Sequence, residues 1–474
     1  MKGKAFLLGA GLLMASVAPI ALAQQQQPLP GRGTPSNTGG SMPGETPPSV
    51  RPPAPGPVPG RAQGAGQGQA PNQAQGQPDN LDRLQQFRTT GTSLQIETVP
   101  QEGRRADALR RNLERIRLPE GFRIDLYAVV PDARHMAVGA SGVVFVGTRK
   151  TRVWALTDRD RDRVADEVKV FAPSVGFSVP NGLCFSPDGI LYVVEHNRVV
   201  AFPAAEFFYE SPDVAAEVVV PQGGLVPTAE ESFNHGARVC RIGADNKLYI
   251  ALGQPFNVPP AAKMELYNRV GISGIIRMDR DGKNREVYAR GIRNSVGIAF
   301  RPGSGELWFT DNQVDGMGDN TPPGEINRIT AAGQNFGFPW YGGGRVRTRE
   351  YAEAQPPADA VFPAVETQNH AADLGITFYD GRMFPEEYRG AIFNAQHGSW
   401  NRTEPVGARV MVTFLNPDGS VKEQKPFAEG WLDEETNEYL GRPVDVAVLR
   451  DGSLLVSDDM AGAVYRISYD RSRR

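Results

Sequence analysis

The chain has 474 residues, a formal net charge of −3 and 40% hydrophobic residues. That balance leaves no basic footprint for nucleic acid and supplies enough apolar side chains for a large core. Two cysteines, Cys184 and Cys240, are too few for a disulfide scaffold.

Residues 1–23 read as an export signal. Lys2 and Lys4 supply the positive end, Ala5–Ile20 the apolar stretch, and Ala21-Leu22-Ala23 a small-x-small cleavage site. The stretch is too short for a transmembrane helix, so no membrane anchor is expected and the protein is placed in the periplasm or outside the cell. Residues 24–100 are dominated by Gln, Pro, Gly and Ala and are predicted to be a disordered linker. Residues 101–117, rich in Arg, Ala, Leu and Glu, predict a short helix. The folded domain is predicted over 118–474.

Within that domain one phrase recurs: polar entry, apolar strand, turn, apolar strand, polar exit. A weak copy runs His135–Arg149, then come Asn181–Asn197, His235–Gln254 and Arg293–Asn312, a second weak copy at Gly375–His397, and Arg442–Asp459. Units of strand–turn–strand recurring about every 40–60 residues indicate an all-β propeller of antiparallel blades. The strand Phe122–Val129 precedes the first copy and Ala463–Ser468 ends the last. Pairing them in one blade would close the ring and remove its open edges.

Two local features leave alternatives open. Asp158, Asp160 and Asp162, followed by Asp166 and Glu167, resemble the start of a Ca²⁺ loop, but Arg163 and Lys169 stand where Gly and Glu belong. Interleaved Arg could satisfy the carboxylates instead, so a solvated, ion-paired turn between strands is the favoured reading. Cys184 and Cys240 fall in the first strands of neighbouring copies. Equivalent strands of adjacent blades are expected to diverge too far for a bond, so both are expected to be buried small apolar side chains, although an oxidising compartment permits a disulfide.

Superposing the copies places chemistry in a ring. A hairpin brings the start of its first strand and the end of its second to one end. His235 and Arg293 share a register ahead of the first strand, and Arg442 falls one residue later, beside Asn294. The exits supply Glu195-His196, Gly253-Gln254, Asp311-Asn312, Gln396-His397 and Asp458-Asp459. A His suits proton transfer near neutral pH, paired Arg suit an anionic ligand, and carbonyls with carboxylates suit Ca²⁺. No nucleophile elbow, Walker or dinucleotide fingerprint occurs.

Several segments carry a resemblance to a known family. They include LPEGFRIDLYA at Leu118–Ala128, PNGLCF at Pro180–Phe185, NHGARV at Asn234–Val239 and GIRNSVGIAF at Gly291–Phe300. TDNQVDGMGDNTPPGEINRI at Thr310–Ile329, NFGFPWYGG at Asn335–Gly343 and GRPVDVAVLRDGSLLVSDDMAG at Gly441–Gly462 add to them. Together they resemble the glucose/sorbosone dehydrogenases, nearest the sorbosone dehydrogenase-like branch. The resemblance implies a six-bladed β-propeller using pyrroloquinoline quinone (PQQ) and Ca²⁺, a sugar or alcohol substrate, and an external electron acceptor. It implies His235 as the general base and Arg293 and Asn294 as contacts to PQQ, with Arg442 holding a PQQ carboxylate. It implies Gln313 and Val314 carbonyls as ligands of the Ca²⁺ beside PQQ, and Glu325 with the Phe336 carbonyl at a structural Ca²⁺.

The chain departs from the family's glucose-oxidising members at three places. Asn234 stands where an acid precedes the base, Gln313-Val314 replaces Gly-Pro, and no Lys occurs in Ala395–Arg402. His397 and Arg402 are the nearest substitutes for that Lys, and Trp400 is expected to line the pocket. The function expected is an exported PQQ- and Ca²⁺-dependent dehydrogenase for a sugar-like alcohol or hydrated aldehyde. A non-catalytic carbohydrate- or protein-binding propeller and a Ca²⁺-dependent lactonase are the alternatives.

Overall fold

In the computed structural model residues 96–470 are described, all within the compact unit Gln77–Arg474. The export signal and nearly all of the linker expected from the sequence lie outside them. The helix occupies Arg104–Leu113 and buries Ala106 and Leu109. No helix among the described residues is long and apolar enough to cross a membrane.

Six antiparallel sheets form the six blades of a propeller. Their innermost strands, from blade one to blade six, are Met136–Val138, Gly182–Phe185, Val239–Ile242, Gly297–Phe300, Asp373–Phe378 and Pro443–Val448. Each is followed outward by the second strand of its repeated phrase. Blade six is completed from both ends of the domain: Phe122–Val129 pairs with Ala463–Tyr469, Phe122 opposite Tyr469 and Val129 opposite Ala463. That is the closure expected from the sequence, and it leaves the ring no free inner edge.

The strands are apolar on both faces because each blade is covered on both sides. In Leu307–Asp311 of blade four, Leu307 and Phe309 join the core shared with blade three, while Trp308 joins the core shared with blade five. One apolar cluster fills each interface between neighbouring blades. Between blades five and six, Phe122 meets Phe384 and Phe427 edge-on at 4.8 and 5.0 Å.

Near the axis the inner strands come into backbone contact, and glycine permits it. A Cβ on Gly182 would sit 2.6 Å from the Arg238 carbonyl and 2.9 Å from the Val239 Cα of the next blade. One on Gly297 would meet the Leu374 carbonyl at 2.1 Å. This approach overturns the expectation for the cysteines. Cys184, two residues beyond Gly182, and Cys240, beside Val239, have Cα atoms 5.8 Å apart and are joined as a disulfide. The divergence of blades applies farther from the axis, where the wedge opens.

Candidate active site

The entry and exit ends of the repeats surround a cavity of about 240 Å³, open to solvent. It gathers His235, Arg293, Asn294 and His397, which share the ring of the superposed copies, together with Gln313 and Trp400. Arg442, Arg402, Val314, Glu325 and Phe336 do not line it.

His235 is held from several sides. Its backbone lies in the left-handed region at φ 55°, strained for a residue with a Cβ. The buried Arg238 secures it there, donating from Nη1 to the His235 carbonyl at 3.0 Å and the Gly253 carbonyl at 2.9 Å, and from Nε to the His196 carbonyl at 3.1 Å. The imidazole Nδ1 lies 2.6 Å from the Gln254 carbonyl. A carbonyl only accepts, so Nδ1 carries the proton and Nε2 keeps its lone pair. Burial, and next the charge of Arg293, lower the imidazole pKa to about 4. The ring is therefore neutral at pH 7 and able to accept a proton at Nε2.

Asp311 builds the neighbouring wall. Its carboxylate accepts the backbone N–H of Arg293 at 2.9 Å and of Asn294 at 2.7 Å. Burial pushes its pKa up to about 6 against those hydrogen bonds. Asp458 does the same in blade six, accepting the Arg442 N–H at 2.9 Å. These exit carboxylates are braces that orient the entry residues. The Arg293 guanidinium is itself fixed, by the carbonyls of Asn257 and Asn312 and by Asp315 at 3.0 Å. The Asn294 side-chain oxygen is buried without a hydrogen-bond partner. A Cβ on Gly253 would lie 2.5 Å from that oxygen and 2.6 Å from the His235 carbonyl, so only glycine leaves room for both.

His397 donates from Nε2 to Asp459 at 2.8 Å, and Arg134 donates to the other oxygen of Asp459 at 2.5 Å. Burial lowers the His397 pKa to about 4, outweighing Asp459. Arg442 lies behind, donating to the carbonyls of His397 and Gly398 at 2.9 and 2.6 Å and covering the Tyr439 ring. Arg402 is spent on backbone carbonyls, that of Glu404 in its own loop and that of Asp319 in the loop after Leu307–Asp311. Two aromatic side chains stand at the mouth, Trp400 at 75% exposure and Phe233 at 70%, the latter against the His196 ring.

Gln313 lines the cavity, and Val314 is buried behind it, its N–H bonded to the Gly342 carbonyl. Among the described residues no donor reaches the carbonyl of either. Glu325 is buried, accepts from Gly344 and Asn327, and is raised to about 8 by burial and by Asp311. Phe336 packs edge-on against Phe309. At the loop following blade one's third strand, carboxylate oxygens of Asp158, Asp160 and Asp166 lie within 4.8 Å of one another, without Asp162.

Sequence reasoning missed Arg134, Arg149, Phe233, Asp315 and His370, all of which line the cavity, whereas Asn401, which also lines it, follows His397 at the expected mouth. Arg149 occupies the exit of the weak first copy, so extending the exit register to that copy would have found it. Phe233 stands two residues before His235. Asp315 comes from the loop between Leu307–Asp311 and Gly324–Ile329 within blade four, and His370 from the loop joining blades four and five; neither carries a repeat register.

The donor set fits a flat, multiply anionic quinone with a hard cation beside it. Guanidiniums, an unpaired amide oxygen, unbonded carbonyls and a neutral His converge on a slot flanked by aromatics.

Comparison with known proteins gives the same direction. The family model for glucose/sorbosone dehydrogenase matches residues 216–399. An uncharacterized protein of Borreliella burgdorferi is 31% identical over 363 residues, spanning 75% of this chain and 91% of that one. An aldose sugar dehydrogenase of Escherichia coli is 30% identical over 154 residues, 29% of this chain and 39% of that protein. The holo PQQ domain of a pyranose dehydrogenase from Coprinopsis cinerea shares the fold, with TM-score 0.60 and 18% identity over 74% of this chain and 97% of that one.

Proposed function

Because this chain belongs to the glucose/sorbosone dehydrogenase family, we propose that it is an exported PQQ- and Ca²⁺-dependent dehydrogenase oxidising a sugar-like alcohol or hydrated aldehyde. The observation that carries this is the state of His235: neutral, with Nδ1–H tied to Gln254 and Nε2 free, beside the Arg293-Asn294 pair in one cavity.

Bound PQQ supplies a two-electron acceptor for the hydride leaving the substrate carbon, and Ca²⁺ polarises it. The chain's own residues supply the rest. His235 Nε2 takes the substrate hydroxyl proton, and the Gln254 carbonyl stabilises the imidazolium that forms. Asn294 and Arg293, braced by Asp311, would hold the polar edge of the quinone. The Gln313 and Val314 carbonyls would serve the cation. Phe233 and Trp400 flank the mouth, where they limit water and orient a flat or ring-shaped ligand. His397 is a further contact we assign to the cofactor, fixed by Asp459. Arg442 acts through the His397–Gly398 backbone, and Arg402 through its loop. Glu325 and Phe336 remain our candidates for a structural Ca²⁺. Electrons would pass to an external acceptor.

The test is reconstitution of the purified protein with PQQ and Ca²⁺, following dye reduction across aldoses, sorbosone and simple alcohols. Calorimetry that detects no PQQ binding would sink the proposal. Binding of a sugar without turnover would favour the non-catalytic propeller, and metal-dependent ester hydrolysis without PQQ the lactonase.

A further inference from the structure

Three guanidiniums line the cavity: Arg134, Arg149 and Arg293. Two of them are compensated. Arg293 is paired with Asp315, and Arg134 with Asp459 and with Asn181 at 2.7 Å. Asp459 is itself shared with His397, one donor on each of its oxygens.

Arg149 differs. Its backbone N–H goes to Asp132 at 2.8 Å, but its guanidinium makes no hydrogen bond among the described residues. Burial, and then the like charge of Arg134, hold its pKa below the usual arginine value. Asp459 and Asp132 offset part of that repulsion, so what the guanidinium lacks among the described residues is a direct hydrogen-bonding partner, and its exposure leaves the fork open to an anion entering the cavity. A planar fork presented to a cavity matches the two oxygens of a carboxylate.

We propose that Arg149, backed by Arg134, is an anion subsite of this cavity that takes a carboxylate of the bound molecule. The source of the carboxylate rests on the function proposed above: it is either a carboxylate of PQQ, in the role left open by the absent Lys, or that of an acidic sugar such as a uronate. The subsite itself does not rest on that function.

Calorimetry on the full chain separates the sources, with PQQ plus Ca²⁺, glucuronate and glucose as probes for wild type, R149Q and R149K. R149Q should weaken at least one carboxylate probe roughly tenfold to a hundredfold, the cost of a charge-assisted pair. R149K, which keeps the charge and loses the fork, should fall between. Glucose should be unaffected. A loss confined to PQQ assigns the cofactor, and one confined to glucuronate assigns the substrate. Arg149-dependent glucuronate binding by a wild type that takes up no PQQ upholds the subsite and removes the PQQ proposal. The subsite is overturned if R149Q keeps both affinities within about twofold of wild type, or if wild type binds neither carboxylate. Should R149Q not fold, R149K decides by the same criterion.

Discussion

His235 donates its Nδ1 proton to the carbonyl of Gln254 at 2.6 Å, which fixes the tautomer that leaves Nε2 as a base. The two residues are the entry and exit of one repeat in blade three. The hairpin that makes the blade therefore also makes the acid–base device, and His235→Gln should remove it without removing the cavity. Turnover should fall about a hundredfold to ten-thousandfold while PQQ affinity stays within a few-fold. Single-turnover kinetics beside calorimetry would check this, and equal losses of both would argue for a structural role.

The same residue sets a pH limb. A base works only when unprotonated, so activity is lost as pH falls through its pKa. Burial and Arg293 place that pKa at about 4. The acid limb of kcat/KM in wild type should therefore lie near pH 4, well below about 6.5 for an exposed imidazole. Removing the neighbouring charge with Arg293→Gln should move the limb upward. A limb near 6.5 in wild type would mean that His235 is solvated.

Gly253→Ala tests the crowding behind the base. The new Cβ would lie 2.5 Å from the Asn294 side-chain oxygen and 2.6 Å from the His235 carbonyl, and the latter belongs to the backbone and cannot rotate away. We expect about 1–3 kcal/mol of destabilisation in urea and a larger loss of PQQ affinity than of stability. An unchanged affinity would show that neither neighbour has to stay where it is.

The disulfide spans 56 residues and staples blade two to blade three. Cys184→Ser should cost roughly 3–4 kcal/mol by loop entropy and abolish the effect of reductant on the urea midpoint. A wild-type midpoint that ignores reductant would mean that the thiols are not joined.

Deleting Ala463 onward removes the strand between Phe122–Val129 and Leu454–Asp458. With its closure lost, blade six exposes apolar faces on both neighbours, and the chain should fail to accumulate as folded protein. A truncated chain with an unchanged melting temperature would contradict the closure.

Much of this was legible because a propeller is a local pattern repeated. Strand, turn and strand are encoded within about twenty residues, and repetition fixes which positions share a ring. The shared ring of His235, Arg293 and Asn294 is therefore written in the sequence. Asp311 and Asp458 lay at the expected exits, yet their role as braces depends on which N–H groups reach their oxygens. Arg442 had the right register, but its guanidinium turns onto the His397 and Gly398 carbonyls. Side-chain direction is decided by neighbours from other blades, which a one-dimensional pattern does not carry.

By itself the sequence determined the blades, the closure by its two terminal strands and the register that brings His235 and Gln254 to one end of blade three, because each follows from periodicity and hairpin geometry. Tertiary structure alone decided the Cys184–Cys240 bond, the pairing of Arg134 with Asp459 and the unpartnered guanidinium of Arg149. Those depend on how closely glycines let neighbouring inner strands approach the axis, and on which charges that approach brings together.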